Sequence, residues 1–206
     1  MFLQVLNLIK RSIPAGFSSF LNWVVLFFIT FILTRIEASE HNIAANQILI
    51  ILSSLLLVFS KVSGGILIKK INEFEFNKPI GFLLQIIIGY QLFYILLMVV
   101  VLVFFENIVL LFGVNKKIVM ILIPIKWCLL VYILLSALDV VLGSYFVSKQ
   151  KNYINFSSQL ISIILLIIVV STVSMFFTLS LFLLWMLLSV EKLSLISYKV
   201  LKLYQV

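Results

Sequence analysis

The chain has few of the residues on which most enzymes and metal proteins depend. It contains one cysteine and one histidine among 206 residues, and only 11% of its residues are charged. The single Cys128 excludes an intrachain disulfide and a CxxC metal site, and the lone His41 excludes a histidine-cluster metal site. No glycine-rich phosphate loop and no Ser/His/Asp constellation are found. We therefore expect no enzyme, no metal site and no bound cofactor.

Apolar residues, by contrast, make up 64% of the chain. Globular domains are about half apolar, and a soluble fold of this size has too little interior to bury the excess. Lipid must therefore be part of the solvent. We predict an all-α membrane protein that forms a single membrane domain over residues 1–206. Its six transmembrane helices are expected at about 13–36, 43–68, 79–105, 118–147, 154–174 and 176–195.

The net charge of +8 is spread in ones and twos between the apolar stretches. This distribution is typical of loop charges that orient membrane helices, and it argues against nucleic-acid binding. Three basic residues fall on one side of the predicted membrane, namely Arg35, Lys116 and Lys117. Ten fall on the other side: Lys10, Arg11, Lys69, Lys70, Lys78, Lys149, Lys151, Lys192, Lys199 and Lys202. The bias places both termini in the cytoplasm.

Residues 1–13 are interrupted by polar and basic residues and do not form a convincing cleavable signal. We expect them to be a short amphipathic lead-in on the membrane surface. Abundant Ile, Lys, Asn and Phe suit an AT-rich bacterial genome, which indicates a bacterial inner membrane.

Three ionisable residues fall well inside predicted spans, away from their ends, where each costs a few kcal/mol unless it is paired or wet. Lys61 and Asp139 lie about 10–12 Å from the cytoplasmic ends of their helices at 1.5 Å per residue. Their matched depth suggests that they form an ion pair or share a wet cavity. Alternatively, Lys61 snorkels to the interface. Lys126, near the outer end of the fourth helix, is expected to snorkel.

Neutral polar residues form a second group of candidates within the spans. Ser136 lies three residues before Asp139 and so on the same helix face. For each residue of this group, hydrogen bonding between helices is the alternative to ligand contact. The pair Gly64–Gly65 indicates close helix contact. The group comprises Asn22, Asn46, Gln47, Ser53, Ser54, Gln85, Gln91 and Ser136.

The order of several short motifs resembles the C-terminal six-helix half of multidrug and toxic compound extrusion (MATE) transporters, within the MOP flippase superfamily. The similarity extends over about Ile9 to Leu188. The stretch AAxQ with its downstream small-residue pair is the most specific part. The motifs are Ile13 to Ser18, Asn42 to Ile48, Phe59 to Gly65, Leu110 to Gly113 and Asp139 to Phe146.

The resemblance implies a secondary active transporter that exchanges H⁺ or Na⁺ for an organic or drug-like solute. The substrate or cation would bind at Asp139, Lys61, Asn22, Ser136 and Gln47. The sequence departs from the family at several of these positions. Asn22 stands where well-known members have a carboxylate, and Ser136 aligns with a frequent Asp. Asp139, one turn further on, is the acid that could substitute.

The chain also has half the length of a two-lobed transporter, which binds substrate between its repeats. We expect membrane lipid as surroundings, a small-molecule solute as ligand, and as partner a separately encoded N-terminal half or a second copy. Two alternatives stay open. One is a flippase for lipid-linked oligosaccharides, with a basic cavity to which Lys61 and Lys126 contribute. The other is a truncated remnant that does not transport.

Overall fold

A computed structural model describes the backbone of residues 2–36, 39–73 and 79–203. The side chains described are those of residues 13, 14, 16, 17, 20–36, 40–69, 81 and 83–203. Within these ranges every regular element is an α-helix. The helices are α1 (Phe2–Leu33), α2 (Ser39–Leu56), α3 (Val58–Glu73), α4 (Pro79–Val103), α5 (Phe105–Leu110), α6 (Lys116–Ser148), α7 (Asn152–Phe176) and α8 (Leu181–Leu203).

Five helical segments of the described chain are long and apolar enough to cross a membrane. They are Glu40–Lys69, Leu83–Val103, Lys116–Ser148, Asn152–Phe176 and Leu181–Leu203. The prediction of an all-α chain with multiple membrane-spanning helices is confirmed at this level. In α1, the described apolar stretch Phe20–Leu33 is shorter than a span. The expected lead-in is not a separate segment, because α1 runs unbroken from Phe2 through Pro14.

The second predicted span is bent where α2 meets α3, because a side chain enters the helical hydrogen-bond ladder. The hydroxyl of Tyr94, from α4, donates to the Leu56 carbonyl over 3.1 Å and accepts the Ser60 N–H over 2.9 Å. It also accepts the Ser60 hydroxyl over 2.7 Å. The direct bond between Ser60 N–H and the Leu56 carbonyl, four residues apart, is thereby replaced by a bridge. Tyr94 itself is fully buried.

The long helix α6 lies at the centre of the bundle and contacts α2, α3, α4, α5, α7 and α8. Its apolar residues Leu122, Ile125, Leu129 and Ile133 are buried at spacings of three and four residues, which keeps them on one face. α7 packs on α8 and α1. The expected tight hairpin between the last two helices is confirmed, with a connection of residues 177–180.

One glycine of the predicted close-contact pair lies against α6. A Cβ added at Gly64 would come within 2.5 Å of the Ser144 hydroxyl oxygen, whereas one added at Gly65 would meet nothing within 4 Å. Only a residue without a side chain lets α3 approach α6 this closely. The prediction of close helix contact is therefore confirmed for Gly64 and wrong for Gly65.

The last helix differs from its predicted bounds at both ends. α8 begins at Leu181 rather than at 176, because Ser180 acts as its N-cap: the Ser180 hydroxyl accepts the Leu183 N–H over 3.2 Å. α8 then continues to Leu203, eight residues beyond the predicted end. Lys192 and Lys199, assigned above to a cytoplasmic tail, therefore lie on a helix of the bundle. The predicted basic positions Lys10, Arg11, Lys70 and Lys78 have side chains outside the described residues.

Candidate functional site

A cavity of about 280 Å³ lies inside the bundle, bordered by α1, α2, α3, α6 and α8. We call it the central cavity. Four residues predicted from the sequence line it: Asn22, Lys61, Ser136 and Asp139. The fifth, Gln47, is exposed and lines neither this cavity nor the smaller one described below. Helices far apart in sequence thus bring four of the five candidate residues to one place.

The partner of Asp139 is not the predicted one. The Lys199 ammonium, from α8, lies 2.6 Å from Asp139 Oδ1. The alternative prediction was a shared cavity, and Lys61 and Asp139 do both line the central cavity. Lys61 forms no ion pair with the described residues. The prediction of a Lys61–Asp139 pair is wrong because matched depth does not decide which helix faces Asp139. Lys199 was not considered, since α8 was expected to end before it.

A second cavity of about 190 Å³ adjoins the first, and Asn22, Asp139 and Val140 border both. We call it the side cavity. The Gln159 amide of α7 donates a hydrogen bond to Asn22 Oδ1 of α1. The Asn155 amide donates to the Gly143 carbonyl over 3.0 Å. These neutral amides surround the Asp139–Lys199 pair on the side away from the central cavity.

Gly143 makes room for the ion pair of Asp139. A Cβ added there would come within 3.3 Å of the Lys199 ammonium nitrogen and 3.5 Å of Asn155 Oδ1. A Cβ at this position would therefore require the Lys199 ammonium to shift slightly, whereas its distance to Asn155 Oδ1 is an ordinary van der Waals contact. The glycine allows the ammonium to pack directly on the helix backbone.

A second acid–lysine pair lies about two turns before Lys199 on α8 and was not predicted from the sequence. Glu191 is 3% exposed, and its Oε1 accepts the Ser162 hydroxyl over 2.9 Å. The Lys192 ammonium lies 3.2 Å from Glu191 Oε2. Both residues line the central cavity. A charge inside a membrane protein costs several kcal/mol unless it is paired. This cost is limited here because each acid has a lysine as its neighbour.

Two sequence signals could have located this part of the site. Asn155, Ser158, Gln159 and Ser162 recur at spacings of three and four, which marks a polar face on α7. Ser180 before an apolar run is an N-cap signal, and a helix started there reaches well beyond residue 195. The first signal predicts that α7 faces protein rather than lipid with this side. The second predicts that the late lysines are helical.

Three buried polar atoms at the two cavities have no hydrogen-bond partner within the protein. They are Ser136 Oγ and Glu191 Oε2 at the central cavity and Asn155 Oδ1 at the side cavity. Glu191 Oε2 is close to an ammonium, but the geometry is not that of a hydrogen bond. Buried polar groups are ordinarily satisfied by protein or water. The two cavities are therefore suited to water or a polar ligand.

Two aromatic side chains close one wall of the central cavity. The indole N–H of Trp185 donates to Asn46 Oδ1 over 3.1 Å, and both residues are buried. The Tyr132 ring meets the Trp185 ring edge-on, with centroids 5.2 Å apart. For Asn46 the structure thus confirms the interpretation as a hydrogen bond between helices, here α2 and α8. The wall offers an apolar surface next to the charged residues.

The remaining polar candidates lie elsewhere. The Gln91 amide donates to the Leu134 carbonyl of α6 over 3.1 Å, which again joins two helices. Lys126 is half-buried and lines neither cavity, and its ammonium lies 5.9 Å from the centre of the Trp127 ring. Among the residues that the structure describes, no group of three or more His, Cys, Asp or Glu side chains could hold a metal ion.

Comparison with known proteins adds no relative. No protein-family model matches the chain, and neither a curated protein nor a solved structure is significantly similar to it.

Proposed function

We propose that the chain is a half-length, MATE-like secondary transporter that exchanges a cation for an organic solute at the central cavity. The observation that carries this proposal is the convergence of Asn22, Lys61, Ser136 and Asp139 on one cavity bordered by apolar helices. Ionisable residues inside membrane segments generally mark solute or ion pathways. Two acid–lysine pairs at the same place strengthen the argument, since neither pair is needed to hold apolar helices together.

The proposal includes the topology. α1 is counted as a sixth crossing, and the membrane is that of a bacterial cell, with both termini cytoplasmic. The charge bias behind this orientation persists when Lys192 and Lys199 are removed from the tail. Eight of the ten basic residues then remain on the cytoplasmic side against three outside. The proposed orientation would be contradicted if a reporter that works only in the periplasm were active when fused after Leu203.

Cation coupling is assigned to Asp139, with H⁺ or Na⁺ as the exchanged ion. Its carboxylate borders both cavities and is held by the Lys199 ammonium at 2.6 Å. A cation that reaches the carboxylate competes with this ammonium, which gives two arrangements of the site. Alternating between two such arrangements is what an exchanger requires.

In this proposal a partner completes the transporter, either a separately encoded six-helix half or a second copy of the chain. Everted membrane vesicles are the system for the test, with a fluorescent dye and an imposed ion gradient. We expect gradient-driven dye movement when the chain and its partner are both present, and its loss in Asp139→Asn. Vesicles without any dye movement, whether the chain is alone or co-expressed with the neighbouring gene product, would favour the truncated remnant instead.

A second candidate is the export of lipid-linked oligosaccharides. It is favoured by the three lysines at the two cavities, Lys61, Lys192 and Lys199, which outnumber the two acids there. The phosphates of a lipid-linked sugar would be attracted to that excess of positive charge. Transfer of a lipid-linked sugar across reconstituted vesicles without dye movement would establish this function over the first.

A further inference from the structure

The charged groups at the two cavities do not cancel. Two lysines are taken up by internal carboxylates: Lys199 by Asp139 at 2.6 Å and Lys192 by Glu191 at 3.2 Å. Lys61 also lines the central cavity and forms no ion pair with any described residue. With each acid charged and each lysine protonated, the site carries one positive charge that no described residue neutralises.

Lys61 lies where an uncompensated charge is costly. It is eight residues before Lys69, where the apolar spanning segment ends, about 12 Å along the helix at 1.5 Å per residue, and it is exposed at the surface of the bundle. A charge at such a depth costs a few kcal/mol or more unless it meets water or an opposite charge. The cavity provides room for an opposite charge, and the part of the chain that the structure describes does not itself pair Lys61 with one.

Besides its charged residues and the neutral polar Asn22, Asn46, Ser53, Ser54 and Ser136, the cavity wall is apolar and aromatic. Leu26, Ile29, Ile50, Leu57, Leu188 and Trp185 are among its lining residues. Its volume of about 280 Å³ is close to the lower end, roughly 300 Å³, of sites for small organic ligands. A ligand that matches both the apolar wall and the Lys61 ammonium has an apolar body and a negatively charged group.

We propose that the central cavity binds an organic anion and that the Lys61 ammonium holds its charged group. This inference rests on the proposed function, since it names the substrate class of the same cavity. The two internal carboxylates then act as competitors of the ligand. Each keeps one further ammonium from attracting the anion. Removing a carboxylate charge should therefore strengthen anion binding, whereas removing Lys61 should weaken it.

The test uses the full chain in nanodiscs of neutral phosphatidylcholine and two dyes with the same xanthene core. Fluorescein is anionic and rhodamine 123 is cationic, so their affinities, measured by fluorescence anisotropy against empty nanodiscs, isolate the effect of charge. We expect fluorescein to bind at least about tenfold more tightly, since a hydrogen bond to a charged group is worth about 1.5–3 kcal/mol and 1.4 kcal/mol is tenfold.

The variants give effects of opposite sign. Lys61→Gln should reduce fluorescein affinity about tenfold, and Lys61→Arg, which keeps the charge, should retain most of it. Glu191→Gln should raise the affinity several-fold because it releases Lys192 while keeping the shape of the side chain. Lys126→Gln is the matched control, a lysine of the same type inside α6 that lines neither cavity, and it should change nothing.

Anionic lipid separates two sources of the ligand. If phosphatidylglycerol added to the nanodiscs competes with fluorescein, and Lys61→Gln abolishes this competition, the site takes a lipid headgroup. If fluorescein affinity is independent of this lipid, the site takes a water-soluble anion. Both results support the anion site.

Tighter binding of rhodamine 123, or equal fluorescein affinity in Lys61→Gln and wild type, would overturn the inference. These outcomes are separate from those of the transport test. Anion binding without ion-driven dye movement leaves the site in place and removes the exchanger function. Exchange of cationic dyes that depends on Asp139, without Lys61-dependent anion binding, leaves the exchanger function in place and removes the anion site.

Discussion

Helices α4 and α8 are both long and apolar enough to span a membrane, yet they relate to the bundle in opposite ways. Half of the spanning window in α8 is buried inside the protein, compared with 17% of that in α4. α8 carries Glu191, Lys192 and Lys199 within its length, whereas α4 carries no charged residue from Pro79 to Val103. Charges are placed on the helix that protein surrounds, and the helix that lipid surrounds has none.

The polar residues that α4 does possess follow the same rule. Tyr94 is fully buried and bridges the bend between α2 and α3, and Gln91 bonds to α6. Its exposed positions include Leu92, Leu96 and Val100, all apolar. The contrast between the two helices is therefore one of surroundings rather than of composition alone. Four substitutions, or pairs of substitutions, test this contrast between α4 and α8.

The largest effect is expected from breaking the pair between α8 and α6. Lys199→Met leaves the Asp139 charge without its ammonium and should lower the free energy of unfolding by about 3 kcal/mol. The double variant Lys199→Met/Asp139→Asn should recover most of this, since no charge is then unpaired. Unfolding by SDS in mixed micelles measures both, with Lys149→Met at an exposed connecting residue as control. Equal stability of the single and double variants would contradict the argument.

Placing a lysine on the lipid side of α4 should have a comparable cost. Leu96 is 68% exposed and lies near the middle of the α4–α5 segment. Leu96→Lys should disfavour membrane insertion of this segment by about 2.5–3.5 kcal/mol. Leu111→Lys, at 86% exposure beyond the end of α5, should insert normally. The glycosylation of engineered flanking sites measures the inserted fraction, and equal insertion of both variants would show that α4 does not face lipid.

Removing the hydroxyl of Tyr94 tests the main buried contribution of α4. In Tyr94→Phe the Leu56 carbonyl and the Ser60 N–H lose the group that bridges them, which should cost about 1–3 kcal/mol. The direct helical bond can re-form only if the bend between α2 and α3 straightens. Unfolding measurements give the cost, and the distance between spin labels at Glu40 and Lys69 reports straightening. Unchanged stability and distance would mean that the bend has another cause.

The smallest effect concerns a contact between α3 and α6. Gly64→Ala places a Cβ 2.5 Å from the Ser144 hydroxyl oxygen, whereas at Gly65 nothing lies within 4 Å. Because the hydroxyl can rotate away, we expect a loss of about 1 kcal/mol for Gly64→Ala. Gly65→Ala is the matched control and should be neutral or slightly stabilising. A larger loss at Gly65 than at Gly64 would contradict the packing described here.

Much of the helical framework was predictable from the sequence. The stretches 118–147 and 154–174 agree with α6 and α7 to within two residues at each end, because charged or polar residues border long apolar runs. α8 was not predictable in the same way. Its polar residues lower the apolar character that defines a span, and the helix persists because those residues are paired inside the protein.

The candidate site was predictable in part. Lys61 and Asp139 were found because a charge in an apolar run is conspicuous, and Asn22 and Ser136 through their places in the spans and in the family resemblance. Glu191 was missed because it lies near the predicted end of the sixth span, and Lys199 because it lies beyond that end, in a stretch that resembles a polar tail. The pairing of Asp139 could not be predicted, because it depends on how α6 and α8 are rotated against each other.

By itself the sequence determined that the chain is helical and multi-spanning, because apolar runs of this length have no other stable arrangement in lipid. It also determined that charges well inside the apolar runs, such as Lys61 and Asp139, must be compensated. The partners depend on the tertiary structure. The Asp139 charge is compensated by Lys199 and the Glu191 charge by Lys192, whereas no described residue compensates Lys61. The physical reason is that hydropathy is a property of each segment alone, whereas an ion pair requires two side chains to meet, which only helix packing brings about.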